Sequence, residues 1–207
     1  MLLRPLRPLY RLLLRTISVP DPWERLELES PLAAYGSGAR LDFWKYLEGD
    51  STVTVTSLDD VCSWLLGCTY QHDDVLFHEP DFWQHPSTFE RLRCGDCEDF
   101  AIWAWRKLIE LEVDADLVTG YCLDNGELAG RHVWILIRDE NGASLFEPVA
   151  KARERMVRPF SEVRDRYLPE FGVDRHAQRF TFAGELLVQQ RVLARARVVK
   201  ESVVDSS

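Results

Sequence analysis

The sequence predicts an α+β fold in which one capped central helix packs on an antiparallel sheet. The helix is predicted over residues 97–112, because Ala101, Trp105 and Leu108 recur at helical spacing and form an apolar stripe. Strand patterns joined by turn signals follow it. Among them, the β-branched, apolar run over residues 131–138 predicts a buried strand. One helix followed by such short strands indicates an antiparallel meander.

Before the central helix, the sequence predicts one short helix and a long loop. Residues 58–68 carry Asp59 and Asp60 near their start, and apolar residues follow at helical spacing, which indicates a helix. Residues 70–93 mix aromatics, histidines and prolines, and they predict a loop with one helical turn over residues 87–92.

After the central helix, turn signals separate three predicted strands. The strands cover residues 117–123, 131–138 and 145–149, with turns at residues 124–126 and 139–142. Residues 139–142, with Asn-Gly at their end, are a hairpin signal.

The tail predicts less regular structure. Residues 161–168 favour a helix, residues 179–182 favour a strand, and residues 186–199 fit either one. The last few residues are expected to fray.

We expect three regions along the chain. Residues 1–50 form an N-terminal extension, residues 51–200 a single globular domain, and residues 201–207 a frayed tail. The extension opens with a basic amphipathic segment, followed by an irregular, Pro- and Gly-containing entry over residues 19–50. The leucines of the amphipathic segment either pack on the domain or let it contact a membrane surface or partner protein. Its arginines are Arg4, Arg7, Arg11 and Arg15.

Composition narrows the function classes. The formal net charge of −9 over 207 residues disfavours nucleic acid as a partner, because phosphate binding needs a basic face. Five cysteines leave at least one thiol free in a monomer. The chain is neither short nor rich in cysteine, so a disulfide scaffold is not expected, and a reducing, cytoplasmic location is.

The segment RLRCGDCEDFA places a thiol at the start of the central helix. Asp96 suits the N-cap, and Asp99 lies three residues on, where the acidic arm of a capping box belongs. Cys97 then falls in the first turn, where the helix dipole favours the reactive thiolate. Glu98 and Asp99 oppose that effect, so a cationic neighbour is needed.

Strand parity makes His132 the candidate neighbour and Glu147 its candidate partner. A hairpin loop of two or four residues around Asn141–Gly142 puts both side chains on one face of the sheet, whereas three residues would separate them. With four loop residues, Glu147 faces Trp134 on the neighbouring strand. It is then a diagonal neighbour of His132, with the two backbones roughly 7 Å apart. With two, Glu147 faces Leu136 and lies too far from His132.

The runs DFWQHP, GDCEDFA, RHVWILI and LFEPV, in this order, resemble the transglutaminase-like superfamily and, within it, the bacterial transglutaminase-like cysteine proteinases. The resemblance covers about residues 80–150. It implies a papain-like/transglutaminase-like core with Cys97 as nucleophile, His132 as general base and acid, and Glu147 as the carboxylate that orients it. This third residue is more often Asp in the family, so Glu147 must reach with a longer side chain.

The resemblance also implies an oxyanion site. The backbone N–H of Cys97 is one expected donor, because it is free at the start of the helix. Trp83 and Gln84 are the candidates for the second donor. Otherwise, Trp83 packs over the helix and Gln84 is solvated.

In the proteinase branch, acidic residues that flank the nucleophile help to hold calcium. The matching residues are Asp96 and Glu98, with Asp99 close by. Calcium takes six to eight oxygen ligands, so these three cannot complete a site. The alternative is that Asp96 caps the helix and Glu98 favours its N-terminus; the chemistry itself requires no cofactor.

The expected activity is thiol-dependent acyl transfer on protein or peptide amides. Attack by Cys97 forms a thioester, and water then releases an acid, which gives a cysteine peptidase or amidase. An amine acceptor would instead give transglutaminase-type transfer or deamidation. A binding or assembly module on the same fold is the non-enzymatic alternative.

Three other interpretations of the reactive residues are weaker. A redox pair of Cys94 and Cys97 would need a preceding strand in a βαβ unit, but the segment before it reads as a loop. A zinc site lacks paired ligand spacing: Cys62 and Cys68 are six apart, and the histidines of the loop lie six or seven apart. His176 competes with His132 as a base, but no strand pattern precedes it.

Overall fold

The computed structural model describes residues 20–26, 30, 32, 34–36 and 39–190. Seven antiparallel strands form the main sheet, in the order β1-β11-β10-β6-β7-β8-β9. They are β1 (Arg25–Leu26), β6 (Asp114–Asp124), β7 (Glu127–Asp139), β8 (Gly142–Phe146), β9 (Val157–Pro159), β10 (Tyr167–Val173) and β11 (Arg179–Phe182). Two small ladders pair β2 (Ala34–Gly36) with β3 (Ala39–Leu41), antiparallel, and β4 (Thr69–Tyr70) with β5 (Cys94–Gly95), parallel.

Six α-helices accompany the sheet in the described part of the chain up to residue 183. They are α1 (Leu58–Leu66), α2 (Asp73–Leu76), α3 (Pro86–Leu92), α4 (Cys97–Glu110), α5 (Arg153–Met156) and α6 (Phe160–Val163). Short 3₁₀ helices cover Phe43–Leu47 and Arg164–Arg166. Residues 184–190 are helical at the end of the described chain.

The central helix covers one face of the sheet, which confirms the predicted α+β class with an antiparallel sheet. α4 packs against β6 and β7. Its buried side chains include Phe100, Trp103 and Trp105, which join the inward-facing residues of both strands in the main core. α4 ends at Glu110, two residues before Glu112, whose positive φ of 61° stops helical continuation.

The opposite face of the sheet is also covered, by a second apolar cluster. Trp23 lies 6.1 Å from Trp134 and 4.7 Å from Phe160, ring centre to ring centre, with edge-on geometry. Burial on both faces explains why residues 133–137 of β7 are all buried and read as an unbroken apolar run instead of an alternating one.

The predicted elements and the observed ones differ mainly where prolines and glycines fall inside a strand. The helix predicted over residues 58–68 is α1, and the predicted loop over 70–93 holds β4, α2 and α3. β10 was not predicted, because Pro169 and Gly172 weaken its strand pattern and a bulge interrupts its pairing with β6. The helix predicted over 161–168 is split between α6 and a 3₁₀ turn.

The described residues between 20 and 50, a range that the sequence assigns to an extension, add to the domain's sheet and core. β1 pairs with β11 at the edge of the main sheet. Phe43 and Tyr46 are fully buried, and the Tyr46 hydroxyl donates to the Trp83 carbonyl at 3.1 Å. The predictions for the basic amphipathic segment (residues 1–19) and for the tail (201–207) lie outside the described residues.

A buried ionic cluster ties the loop before α1 to α3 and α4. Glu90 accepts hydrogen bonds from the Thr52 N–H at 2.8 Å and from Trp103 Nε1 at 3.0 Å. Lys107 Nζ lies 3.6 Å from the same carboxylate and donates to Ser51 Oγ and to the Val53 carbonyl. Burial raises the pKa of Glu90, but these hydrogen bonds outweigh it and hold that pKa below its usual value.

No helix among the described residues is both long enough and apolar enough to cross a lipid bilayer.

Glu90→Ala should lower the free energy of unfolding by about 3 kcal/mol. It removes the acceptor of the hydrogen bonds from Thr52 and Trp103, and it leaves the buried Lys107 with the partly exposed Glu110, 2.8 Å away, as its countercharge. Urea denaturation at pH 7 measures this. The exposed Arg91→Ala on the same helix is the control, with an expected change within about 0.5 kcal/mol. The difference in stability between the two variants should narrow at acid pH, once the pH falls below the ordinary glutamate pKa and through the lowered pKa of Glu90. Equal stability of the two variants would show that the cluster contributes nothing.

Candidate active site

The start of α4 is fixed by Asp99. Its carboxylate accepts from the backbone N–H of Gln84 at 2.7 Å, from Gln84 Nε2 at 2.5 Å and from the backbone N–H of Asp96 at 3.2 Å. The last bond is the predicted acidic arm of the capping box, and α4 begins at Cys97 as predicted. A side chain at Gly95 would collide with both Asp99 and Gln84, so the motif requires glycine there.

His132 and Glu147 meet directly. His132 Nε2 lies 2.9 Å from both carboxylate oxygens of Glu147, and each side chain is 15% exposed. A carboxylate only accepts hydrogen bonds, so Nε2 carries the proton and Nδ1 is left to exchange a proton elsewhere. The longer side chain of Glu147 therefore reaches the imidazole.

The hairpin register explains this contact. Asp139 pairs with Gly142, so the loop is Glu140–Asn141. The prediction centred the loop on Asn141–Gly142, which was wrong by one residue. With the observed centre, a two-residue loop continues the register to Glu147 opposite Trp134, so Glu147 is the diagonal neighbour of His132.

Tyr167 is a third member of this group, and no sequence pattern singled it out. Its hydroxyl donates to Glu147 Oε2 at 3.0 Å from the start of β10. Burial raises the pKa of Tyr167, and the charge of Glu147 raises it further, so the hydroxyl stays protonated and able to donate. Tyr167 could not be placed near Glu147 from the sequence, because β10, the strand that begins at Tyr167, was not predicted.

Cys97 and His132 line one cleft of about 650 Å³. Acidic side chains lie along it together with Trp83, Tyr70 and His72, while Arg131, Thr119 and Phe171 come from the sheet. His176, the alternative base, does not line this cleft; it lies in the turn before β11 and is exposed.

The Cys97 thiol is protonated in this arrangement. Sγ donates to Glu98 Oε2 at 3.1 Å, and no hydrogen bond joins it to the imidazole among the described residues. Burial raises the pKa of Cys97 well above its usual value, the charges of Glu98 and Asp96 add to this, and a hydrogen bond from the Val133 backbone opposes it only partly. The helix dipole is therefore outweighed, as the acidic neighbours in the sequence indicated.

The two candidate oxyanion donors occupy different environments. Trp83 lines the cleft, and its Nε1 donates to Asp81 Oδ1 at 2.8 Å. Gln84 is buried, and its amide donates to the Cys94 carbonyl and to Asp99. Gln84 is therefore engaged in holding the start of the helix, and Trp83 is the one whose N–H borders the cleft.

Carboxylates crowd the start of α4. Oxygens of Asp73, Asp96 and Asp99 lie within 4.8 Å of one another, and so do those of Asp73, Asp81 and Glu98. Both oxygens of Asp99 already accept hydrogen bonds, whereas Asp73 Oδ1 and Asp96 Oδ1 are buried without any partner. An all-oxygen set with unsatisfied buried atoms suits a hard cation such as calcium.

The pKa values of the acidic residues Asp73 and Glu98 are raised in this cluster. Burial raises the pKa of Asp73 to about 6, and repulsion from Asp96 and Asp81 adds to the shift. Burial also raises the pKa of Glu98 well above its usual value, together with a hydrogen bond and charge repulsion from Asp96. No sequence pattern singled out Asp73 and Asp81, because they lie in the predicted loop, 26 and 18 residues before Asp99.

The five cysteines are free thiols in this structure. Cys94 lies on β5, partly exposed, and burial raises its pKa. Cys62 and Cys68 are buried.

No protein-family model matches the chain, and no curated protein matches it. The functional argument accordingly depends on the geometry of the cleft and on the residue pattern around it.

Asp73→Asn should stabilise the protein at pH 8 in EGTA by on the order of 2 kcal/mol. A carboxyl whose pKa is raised on folding favours the folded state at low pH, and that advantage is lost as the pH rises from about 4 through 6. Wild type should therefore lose stability from pH 5 to pH 8, and the variant should lose less.

Chemical denaturation at both pH values measures this, with the exposed neighbour Asp74→Asn as the matched control. If the stability of Asp73→Asn varied with pH as the wild type's does, the pKa of Asp73 would not be raised by its surroundings.

Proposed function

We propose that this protein is a thiol-dependent acyl-transfer enzyme with a papain-like, transglutaminase-like core that hydrolyses amide bonds in proteins or peptides. The observation that supports it best is the 2.9 Å contact of both Glu147 oxygens with His132 Nε2, beside a cleft that Cys97 also lines. The order of the motifs around these residues is the second support.

In the proposed reaction, Cys97 is the nucleophile and His132 moves the proton. His132 Nδ1 takes the proton of the thiol, and Sγ attacks the amide carbonyl carbon. The tetrahedral intermediate then expels the amine, which receives the proton from Nδ1, and a thioester remains on Sγ. Glu147 accepts from Nε2 throughout, so it fixes the tautomer and stabilises the imidazolium.

The negative charge that develops on the carbonyl oxygen would be stabilised by N–H donors at the start of α4. The backbone N–H of Cys97 is the proposed first donor, since the first turn of a helix leaves its N–H groups without intrahelical partners. Trp83 Nε1 is the proposed second donor and would exchange its bond to Asp81 for one to the substrate.

Water is the proposed acceptor of the acyl group, and an amine is the alternative. Hydrolysis agrees with the proteolytic branch that the motifs resemble. Transfer to an amine, or deamidation of a glutamine side chain, would use the same thioester. A reducing, cytoplasmic environment is proposed with it, because a disulfide at Cys97 would remove the nucleophile.

Calcium is the proposed modulator of the thiol. Asp96, Glu98 and Asp99 would hold it, joined by Asp73, which groups with Asp96 and Asp99 and also with Asp81 and Glu98. Bound calcium would supply positive charge beside Sγ, which favours the thiolate. It would also satisfy the two buried oxygens that now have no partner.

Incubation with a peptide library should leave an acyl adduct on Cys97 that mass spectrometry can locate. Cys97→Ala should abolish the adduct and all turnover, whereas Cys94→Ala should keep most of both, because Cys94 makes no contribution to the proposed mechanism. Release of acid identifies hydrolysis, and release only after addition of a primary amine identifies transfer. A folded protein that forms no adduct would favour the binding-module alternative, and loss of activity in Cys94→Ala alone would favour redox chemistry.

Calcium should accelerate alkylation of Cys97 by iodoacetamide at pH 7 by about tenfold relative to EGTA, since each unit by which its pKa falls gives tenfold more thiolate. Asp73→Asn should lose most of this acceleration, and Asp74→Asn should retain it. Labelling is read by peptide mass mapping, which separates Cys97 from the other four thiols. Identical rates in calcium and EGTA would remove the metal from the mechanism.

A further inference from the structure

A second pocket, of about 860 Å³, is lined by four cationic side chains and one carboxylate. The cations are Lys151, Arg155, Arg158 and Arg166, and the carboxylate is Glu147. The chain as a whole has a net charge of −9, so this concentration of positive charge runs against its composition. Like charges gathered in one concavity repel each other, and a bound anion would relieve that repulsion.

Three of these cations pair with no anion among the described residues. Arg158 pairs with Glu162 at 3.3 Å, and Lys151 donates to the Cys68 carbonyl at 3.2 Å. By contrast, the guanidinium groups of Arg155 and Arg166 make no ion pair or hydrogen bond with any other described residue. Their five N–H donors each are therefore available to a ligand.

The pocket is connected to the proposed active site through one carboxylate. His132 lines the cleft, Glu147 lines this second pocket, and the two side chains are in contact. Tyr167, which also lines the pocket, donates to Glu147 Oε2. A ligand here would therefore meet the charge of Glu147 without entering the cleft.

We propose that this basic pocket binds a small phosphorylated molecule carrying two or more negative charges. Arginine matches phosphate because its planar guanidinium donates two parallel hydrogen bonds to two oxygens. Four cations exceed what a single carboxylate would need. The volume lies in the range of small-molecule sites, which favours a compact ligand over a long polyanion. The site is distinct from the cleft in both charge and lining.

Pyrophosphate is the probe, titrated calorimetrically into the full chain at constant ionic strength in EGTA, so that no divalent cation bridges it to the acidic cluster. Binding should weaken by about tenfold or more in Arg155→Gln/Arg166→Gln, because each lost charge-assisted hydrogen bond costs about a factor of ten. Arg91→Gln/Arg175→Gln removes the same charge away from the pocket and should bind like wild type.

Glu147→Gln should change the affinity for pyrophosphate in the opposite direction. It removes the only negative charge in the pocket wall, so pyrophosphate should bind several-fold more tightly, while the amide still hydrogen-bonds its neighbours. This readout is binding alone, so it is independent of whether the cleft is catalytic. Absence of binding to wild type, equal affinity in the Arg155/Arg166 variant, or an unchanged affinity in Glu147→Gln would each overturn the assignment.

Discussion

The buried carboxylate of Asp99 is the interaction on which the site depends. By accepting two N–H bonds from Gln84 and one from the backbone of Asp96, it joins the loop before α3 to the first turn of α4. The same bonds set where the helix begins, and so where the Cys97 side chain leaves it. Gly95 belongs to this constraint, since any larger residue would occupy the space of the Asp99–Gln84 pair.

This arrangement concentrates negative charge beside the thiol. The helix start provides a positive partial charge, but burial and the carboxylates of Glu98 and Asp96 outweigh it, so the thiol is held protonated. A site that needed only a permanently ionised thiol would not place acids on both sides of it. Oδ1 of Asp73 and Oδ1 of Asp96 are buried without a hydrogen-bond partner, so the described chain does not satisfy all the polar atoms of this cluster.

The sequence was sufficient to predict the elements and site residues that a local pattern marks. It was insufficient for those whose partners lie in distant segments of the chain. The capped helix at Cys97 and the strand carrying His132 follow from periodicity, and Glu147 follows from strand parity once the hairpin centre is known. The hairpin centre itself was off by one residue, because Asn-Gly suggested a turn centred there, whereas Gly142 closes the ladder. Tyr167 and Asp73 could not be found, because one lies on a strand broken by Pro169 and the other in an apparent loop.

The thiol and the imidazole are held by different parts of the fold, and the packing between those parts sets their separation. Cys97 is fixed by the loop contacts of α4, whereas His132 is fixed by Glu147 and Tyr167 within the sheet. α4 meets β6 and β7 through fully buried aromatic side chains, which pack densely and deform little. In the proposed mechanism, closure of the Cys97–His132 pair would therefore need side-chain rotation within the cleft, in which the thiol exchanges its bond to Glu98, and not movement of the helix on the sheet.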